Sequence, residues 1–147
     1  MYRNILLPTD GSALSRAAVR EGIRLARAVG ARVTGFFAAP PATPVIYRGV
    51  LPVGLTTPEQ HARAIQHTAR RYLGFIEAAA KRAGVRCKSI HVTSDFPAVA
   101  ILAAARKEGC DLIVMASCSK RGLSGMLLGS QTHKVLARSK IPVLVRR

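Results

Sequence analysis

The sequence predicts an α/β fold: a parallel sheet of short buried strands, covered by helices on both faces. Three observations predict it. Short runs of strand character recur at residues 3–7, 32–38, 86–92, 111–116 and 141–145. Segments of helical period separate them, most with recognisable start and stop residues. Hydrophobic residues make up 49% and charged residues 20%, enough to bury a core. Strands that alternate with helices favour a parallel, doubly wound sheet, because each crossover lays a helix on a face.

Each element has a local reason. Residues 3–7 form an apolar run ended by Pro8. Ser12 is placed to cap a helix running to Val29, with Gly30 as its stop. Leu14, Ala18, Leu25 and Val29 fall near one face of it. Arg16, Arg20, Arg24 and Arg27 form an exposed stripe on another. The segment 39–58 holds five of the eight prolines and has no period, which predicts a long surface connection. Pro58 and Glu59 suit the first turn of a long helix to Ala83, stopped by Gly84. After the third strand, Ser94 or Asp95 is expected to cap a helix with Pro97 in its first turn and Gly109 at its end. A polar, glycine-bearing loop follows the fourth strand. A last helix near residues 130–139 and a fifth strand at 141–145 complete the pattern.

The length of 147 residues suits a single domain, 1–147. Aromatics are 5% and Trp is absent, so the core must be aliphatic. No apolar run reaches the roughly 18–20 residues of a membrane span. The apolar stretch at the N-terminus is too short for a signal peptide. Cys87, Cys110 and Cys118 share no disulfide or zinc spacing. His61, His67, His91 and His133 have no metal spacing either, so no metal is expected. These features predict a reduced, cytoplasmic protein.

The formal charge of +16 invites a nucleic-acid or membrane reading. However, the basic residues are spread along the chain without a block of five or six. No run of them is interleaved with Tyr or Phe to make a base-stacking platform. The expectation is a solvated basic surface, with no specific nucleic acid and no membrane as partner.

In a doubly wound sheet, ligands sit beyond the carboxyl ends of the strands, where strand order reverses. Two loops fall at such ends: Pro8-Thr9-Asp10-Gly11-Ser12, and residues 116–130. In the second, Gly129-Ser130 opens the final helix. Backbone N–H groups at a helix start, with a hydroxyl beside them, form an anion site. The structural alternative is that Gly129 makes a tight turn and Ser130 caps the helix. Asp10 likewise either accepts hydrogen bonds from a ligand or caps and ties its own loop.

The chain resembles the universal stress protein family over essentially its whole length. The resemblance is carried by residues 5–12 (ILLPTDGS), 110–116 (CDLIVMA), 127–130 (LLGS), 134–136 (KVL) and 141–145 (IPVLV). It implies a five-stranded parallel sheet in the order 3-2-1-4-5 and a switch point between the first and fourth strands. Nucleotide-binding members carry G-x2-G-x9-G-S/T in the second loop. Aligned on Gly129-Ser130, the first two motif glycines are replaced by Ala116 and Ser119. Gly122 and Gly125 repeat the G-x2-G spacing in the wrong register. Ser119 either strains a position that needs positive φ or offers its hydroxyl to a phosphate. Cys118 stands where relatives often have His; either Lys120 and Arg121 beside it lower its thiol pKa, or it is an ordinary loop cysteine.

The nucleotide-site residues implied by the resemblance are Pro8, Thr9, Asp10, Ala38, Met115, Ala116, Ser117, Ser119, Gly129, Ser130, Gln131 and Thr132. Asp10 and the Ala38 backbone would hold the adenosine end of ATP or AMP. The resemblance also implies a homodimer through the fifth strand, at Val143, Leu144 and Val145. The expected function is a stress-response binding and signalling module, with at most slow ATP hydrolysis. Two alternatives stand beside it: a nucleotide-free dimer acting through protein partners, and a basic nucleic-acid-associated protein. A first-strand Asp also opens haloacid-dehalogenase-type phosphatases, but the second carboxylate they need is Ser12 here. No Walker lysine follows Gly129.

Overall fold

The computed structural model describes residues 1–41, 57–117 and 129–147. Its elements in chain order are β1 (Asn4–Pro8), α1 (Ala13–Val29), β2 (Arg32–Ala39), α2 (Pro58–Ala83), β3 (Cys87–Thr93), α3 (Pro97–Lys107), β4 (Leu112–Ala116), α4 (Ser130–Arg138) and β5 (Val143–Arg146). The strands pair in parallel in the order β3-β2-β1-β4-β5, as expected.

Alternate residues of the central strands feed two separate cores. Ile5 and Leu7 of β1, with Leu112 and Val114 of β4, pack against Val19, Ile23, Leu73 and Ile76 of α1 and α2. Leu6, Ile113 and Met115 point the other way, against Ala98, Ile101, Ala105 and Val135 of α3 and α4. Every residue of β1 and β4 is buried, which is why residues 5–8 and Leu112–Ala116 read as unbroken apolar runs. At the foot of the sheet a polar network fixes register. The Asp111 carboxylate accepts the backbone N–H groups of Arg3 and Asn4, and Thr34 Oγ1 donates to Asn4 Oδ1.

Ser12 caps α1, its Oγ accepting from the Ser15 N–H at 3.1 Å, and Gly30 closes the helix at φ +73°. Thr57 caps α2 in a reciprocal capping box with Gln60. The buried face of α1 differs from expectation. It is formed by Ser15, Ala18, Val19, Gly22, Ile23 and Ala26. Leu14 is exposed, while Leu25 and Val29 are half-buried at the margin. The arginine stripe is exposed as expected.

The cap of α3 is a second correction. Neither Ser94 nor Asp95 caps it; the N-cap is Phe96, which makes no side-chain cap bond. Ser94 Oγ instead accepts the Phe96 N–H, and the Ala98 N–H is taken by Gln131 Oε1 of α4 at 3.1 Å. A cap supplied from another helix leaves no local sequence signal. β5 spans Val143–Arg146 rather than 141–145, because Ser139 Oγ ties down the Ile141 N–H at 3.2 Å and the Ile141 carbonyl at 2.7 Å. Most of the connection expected at 39–58, and residues 118–128, lie outside the described residues.

Candidate functional site

The central strands separate at their carboxyl ends. β1 pairs with β4 only at Ile5–Leu112 and Leu6–Ile113, whereas β1–β2 pairing runs on to Pro8–Phe36 and β4–β5 pairing to Ala116–Arg146. Pro8 has no N–H to donate, and it stands where β1 has already parted from β4. A cleft of about 980 Å³ opens there, at the switch point.

The cleft brings together Pro8, Thr9, Asp10, Ala38, Met115, Ala116, Gly129, Ser130, Gln131 and Thr132. Ser117 is not among its lining residues; its N–H continues the β4–β5 ladder to the Arg146 carbonyl at 2.9 Å. Ser119, Cys118, Lys120 and Arg121 lie outside the described residues, as do Gly122 and Gly125.

Hydrogen bonding separates residues that shape the cleft from groups that face into it. Thr9 Oγ1 is buried, accepts the Gly11 N–H at 3.1 Å and lies 3.0 Å from Ser15 Oγ. Thr132 is wholly buried, and its Oγ1 donates to the Ala116 carbonyl at 2.8 Å, tying α4 to the end of β4. The Gln131 side-chain oxygen is committed to α3. These three side chains position backbone. Asp10 and Ser130, by contrast, are exposed. Asp10 Oδ1 accepts the Ser12 N–H at 2.9 Å, an Asx turn that aims the carboxylate, so the loop-tying role is realised.

Ser130 does not cap α4. Gly129 is the N-cap, at φ −58°, and among the described residues no side-chain cap bond is made there. The conformation at Gly129 is open to any residue. The first-turn N–H groups of a helix lack intrahelical acceptors, and its dipole is positive at that end. The cleft therefore offers backbone donors on one side, at α4, and an acceptor carboxylate on the other, at Asp10.

One wall was missed from the sequence. His61, Ala64, Ile65, Thr68 and Tyr72 of α2 line the cleft as a single stripe at helical spacing. Tyr72 meets Phe37 edge to face, with ring centroids 5.1 Å apart and planes at 82°. His61 Nε2 lies 3.3 Å from the Pro40 carbonyl. The signal was the 3.6-residue period of α2, which has a stripe beside its core face. Ser94, Asp95 and Pro97 close the rim from the start of α3.

In a doubly wound α/β domain, a cleft at the switch point is the place where ligands sit when they bind. The family model described as the universal stress protein family matches residues 1–147, and the chain belongs to that family. It is 31% identical over 151 residues to universal stress protein YxiE of Bacillus subtilis, covering 100% of both chains. It is 30% identical to universal stress protein MJ0531 of Methanocaldococcus jannaschii, covering 99% of this chain and 82% of that one. Among solved structures, a universal stress protein in complex with cAMP is similar at 25% identity and TM-score 0.70, with 99% of this chain and 97% of that chain covered.

Proposed function

We propose that the protein is a binding module that takes an adenine nucleotide, ATP or AMP, in the switch-point cleft. The carrying observation is the pairing of the α4 start with Asp10 across one cleft of nucleotide size. Phosphates lie over Gly129, Ser130 and the first turn of α4, where the donors are backbone groups. Substitution of the upstream motif glycines leaves those donors in place. Asp10 accepts hydrogen bonds from the ribose or base, and the Ala38 backbone meets the adenine. The cAMP complex of a family member supports an adenine nucleotide as the ligand class. Ala116 adds a methyl group at the first motif position, and it is buried at the end of β4.

The proposed assembly is a homodimer. Among the described residues β5 is bonded on one side, to β4, and Leu144 is exposed there beside half-buried Val143 and Val145. An apolar edge of this kind pairs unless it is covered. The proposed role is signalling in the cytoplasm through nucleotide occupancy rather than turnover. Among the described residues, no helix is long and apolar enough to cross a membrane.

Titration calorimetry with ATP and AMP, beside mass spectrometry of small molecules released from the purified protein, tests this reading. Saturable one-to-one binding is expected. Asp10→Asn should weaken it at least tenfold, because the amide keeps the turn to Ser12 but loses the anionic acceptor. No heat at millimolar nucleotide and no released ligand would replace this reading with the nucleotide-free one.

A further inference from the structure

The seam between α1 and α2 carries arginines that do not line the cleft. Arg16 and Arg20 of α1 reach across to one ring of α2, their guanidinium carbons 5.9 and 5.2 Å from the Phe75 centroid. Arg71 stands 5.4 Å over the neighbouring Tyr72 ring. All three arginines are exposed, and none is in either ion pair found among the described residues, Glu21–Arg24 and Lys88–Glu108. Their guanidinium groups are held by stacking on aromatic faces. The start of α1 adds to the field. Its first turn has no acidic residue, and Arg16 sits where the helix dipole disfavours a cation. The two helices together hold eight arginines and one lysine against three glutamates, a choice of cation suited to forked contact with phosphate.

We propose that the α1–α2 seam, with Arg16, Arg20 and Arg71 as its anchors, docks the phosphate backbone of duplex nucleic acid without reading sequence. Three features select this occupant. The Phe75 and Tyr72 rings already carry guanidinium groups, which compete with unstacked bases for those faces. That favours an intact duplex over a single strand. Of the large hydrophobic residues that are exposed, only Leu14 belongs to α1 or α2. A membrane-surface helix needs an apolar face beside its cations, and a protein interface needs an apolar centre; the seam has neither. Arg16, Arg20 and Arg24 also step along α1 at four-residue intervals, a rise of about 6 Å each, which forms a row of charge rather than a point. None of the three arginines lines the nucleotide cleft, although the Tyr72 ring borders both surfaces, and the proposal does not depend on nucleotide binding.

Fluorescence anisotropy with a labelled duplex of about 24 base pairs, between about 50 and 200 mM salt, tests it. The parent should bind several unrelated duplexes within threefold of one another, with log affinity falling linearly against log salt. A triple variant, Arg16→Gln with Arg20→Gln and Arg71→Gln, should lose at least tenfold at the lower salt. The slope should become shallower by about 2–3, since each phosphate contact contributes about 0.9. A control with equal charge loss on the opposite layer, Arg106→Gln with Lys107→Gln and Lys134→Gln, should stay within threefold of the parent. Circular dichroism checks that both fold. If the glutamine variant does not, the Arg→Lys triple keeps the charge without the stacked fork and should still lose at least threefold. Equal losses in the seam and control variants would overturn the proposal, as would an unimpaired lysine variant. So would tighter, seam-dependent binding to anionic vesicles or to an acidic peptide.

Discussion

Replacing Gly11 with Ala tests how the first strand-end loop is built. Gly11 sits at φ +78°, and a Cβ there would overlap the ring of Tyr72. Two costs follow. A left-handed conformation costs a residue with a side chain about 1–2 kcal/mol. Overpacking adds about 1–3 kcal/mol, because Tyr72 is held edge to face on Phe37 and cannot swing freely. The expected loss is about 2–5 kcal/mol. Gly30 is the internal control. It has φ +73° but nothing within 4 Å of the added Cβ, so Gly30→Ala should cost only the backbone share. Urea denaturation at constant slope measures both variants. Combining Gly11→Ala with Tyr72→Leu should recover part of the loss as a coupling energy, since the overlap is removed. Equal destabilisation by Gly11→Ala and Gly30→Ala, or strict additivity with Tyr72→Leu, would refute contact between this loop and α2.

Four further outcomes follow from the same structure. Thr132→Val keeps the shape of a wholly buried side chain but removes the donor to the Ala116 carbonyl, and should cost about 1–3 kcal/mol in thermal or urea unfolding. Burial pushes the Cys110 thiol up from 9.0 to about 11, so at pH 8 native Cys110 should be alkylated at least about 100-fold more slowly than after unfolding, as peptide mass mapping would read. The folded state keeps the Cys110 proton where the unfolded state releases it. The corresponding stability should therefore be present below pH 9.0, fall as pH rises towards about 11, and show a flatter fall in Cys110→Ala. Leu144→Arg, placed on the open edge of β5, should convert a dimer into a monomer in sedimentation velocity at micromolar concentration. A monomeric parent would contradict the assembly proposed from that edge.

Elements with local punctuation were legible in the sequence. Ser12 and Gly30 bound α1, and Pro58 and Gly84 bound α2, as their capping chemistry predicts. What escaped depends on distant partners. The α3 start is completed by Gln131, 33 residues away from the Ala98 N–H that it accepts. The α2 wall of the cleft carries no motif, only a stripe that becomes a wall once β1 and β4 have parted beside it. Leu14 looks like a core residue by composition, but Ser15 and Val19 take the inward positions. Family resemblance brought Asp10, Ala38 and Gly129 to one place, as the cleft lining does, but it could not separate groups that face the cleft from those that support its walls. Thr132 and Gln131 are turned to structural bonds, and Ser117 to the β4–β5 ladder, by interactions that only the folded chain displays.

Backbone amide NMR during titration with AMP and then ATP would most directly test nucleotide binding in the switch-point cleft. Saturable shifts should concentrate at Thr9, Asp10, Gly11 and Ala38, and at Ala116 and Gly129 to Thr132. ATP should extend the effect along the first turn of α4. Unchanged spectra at millimolar nucleotide, or shifts confined to the arginines of α1 and α2, would contradict a nucleotide held between Asp10 and the α4 start.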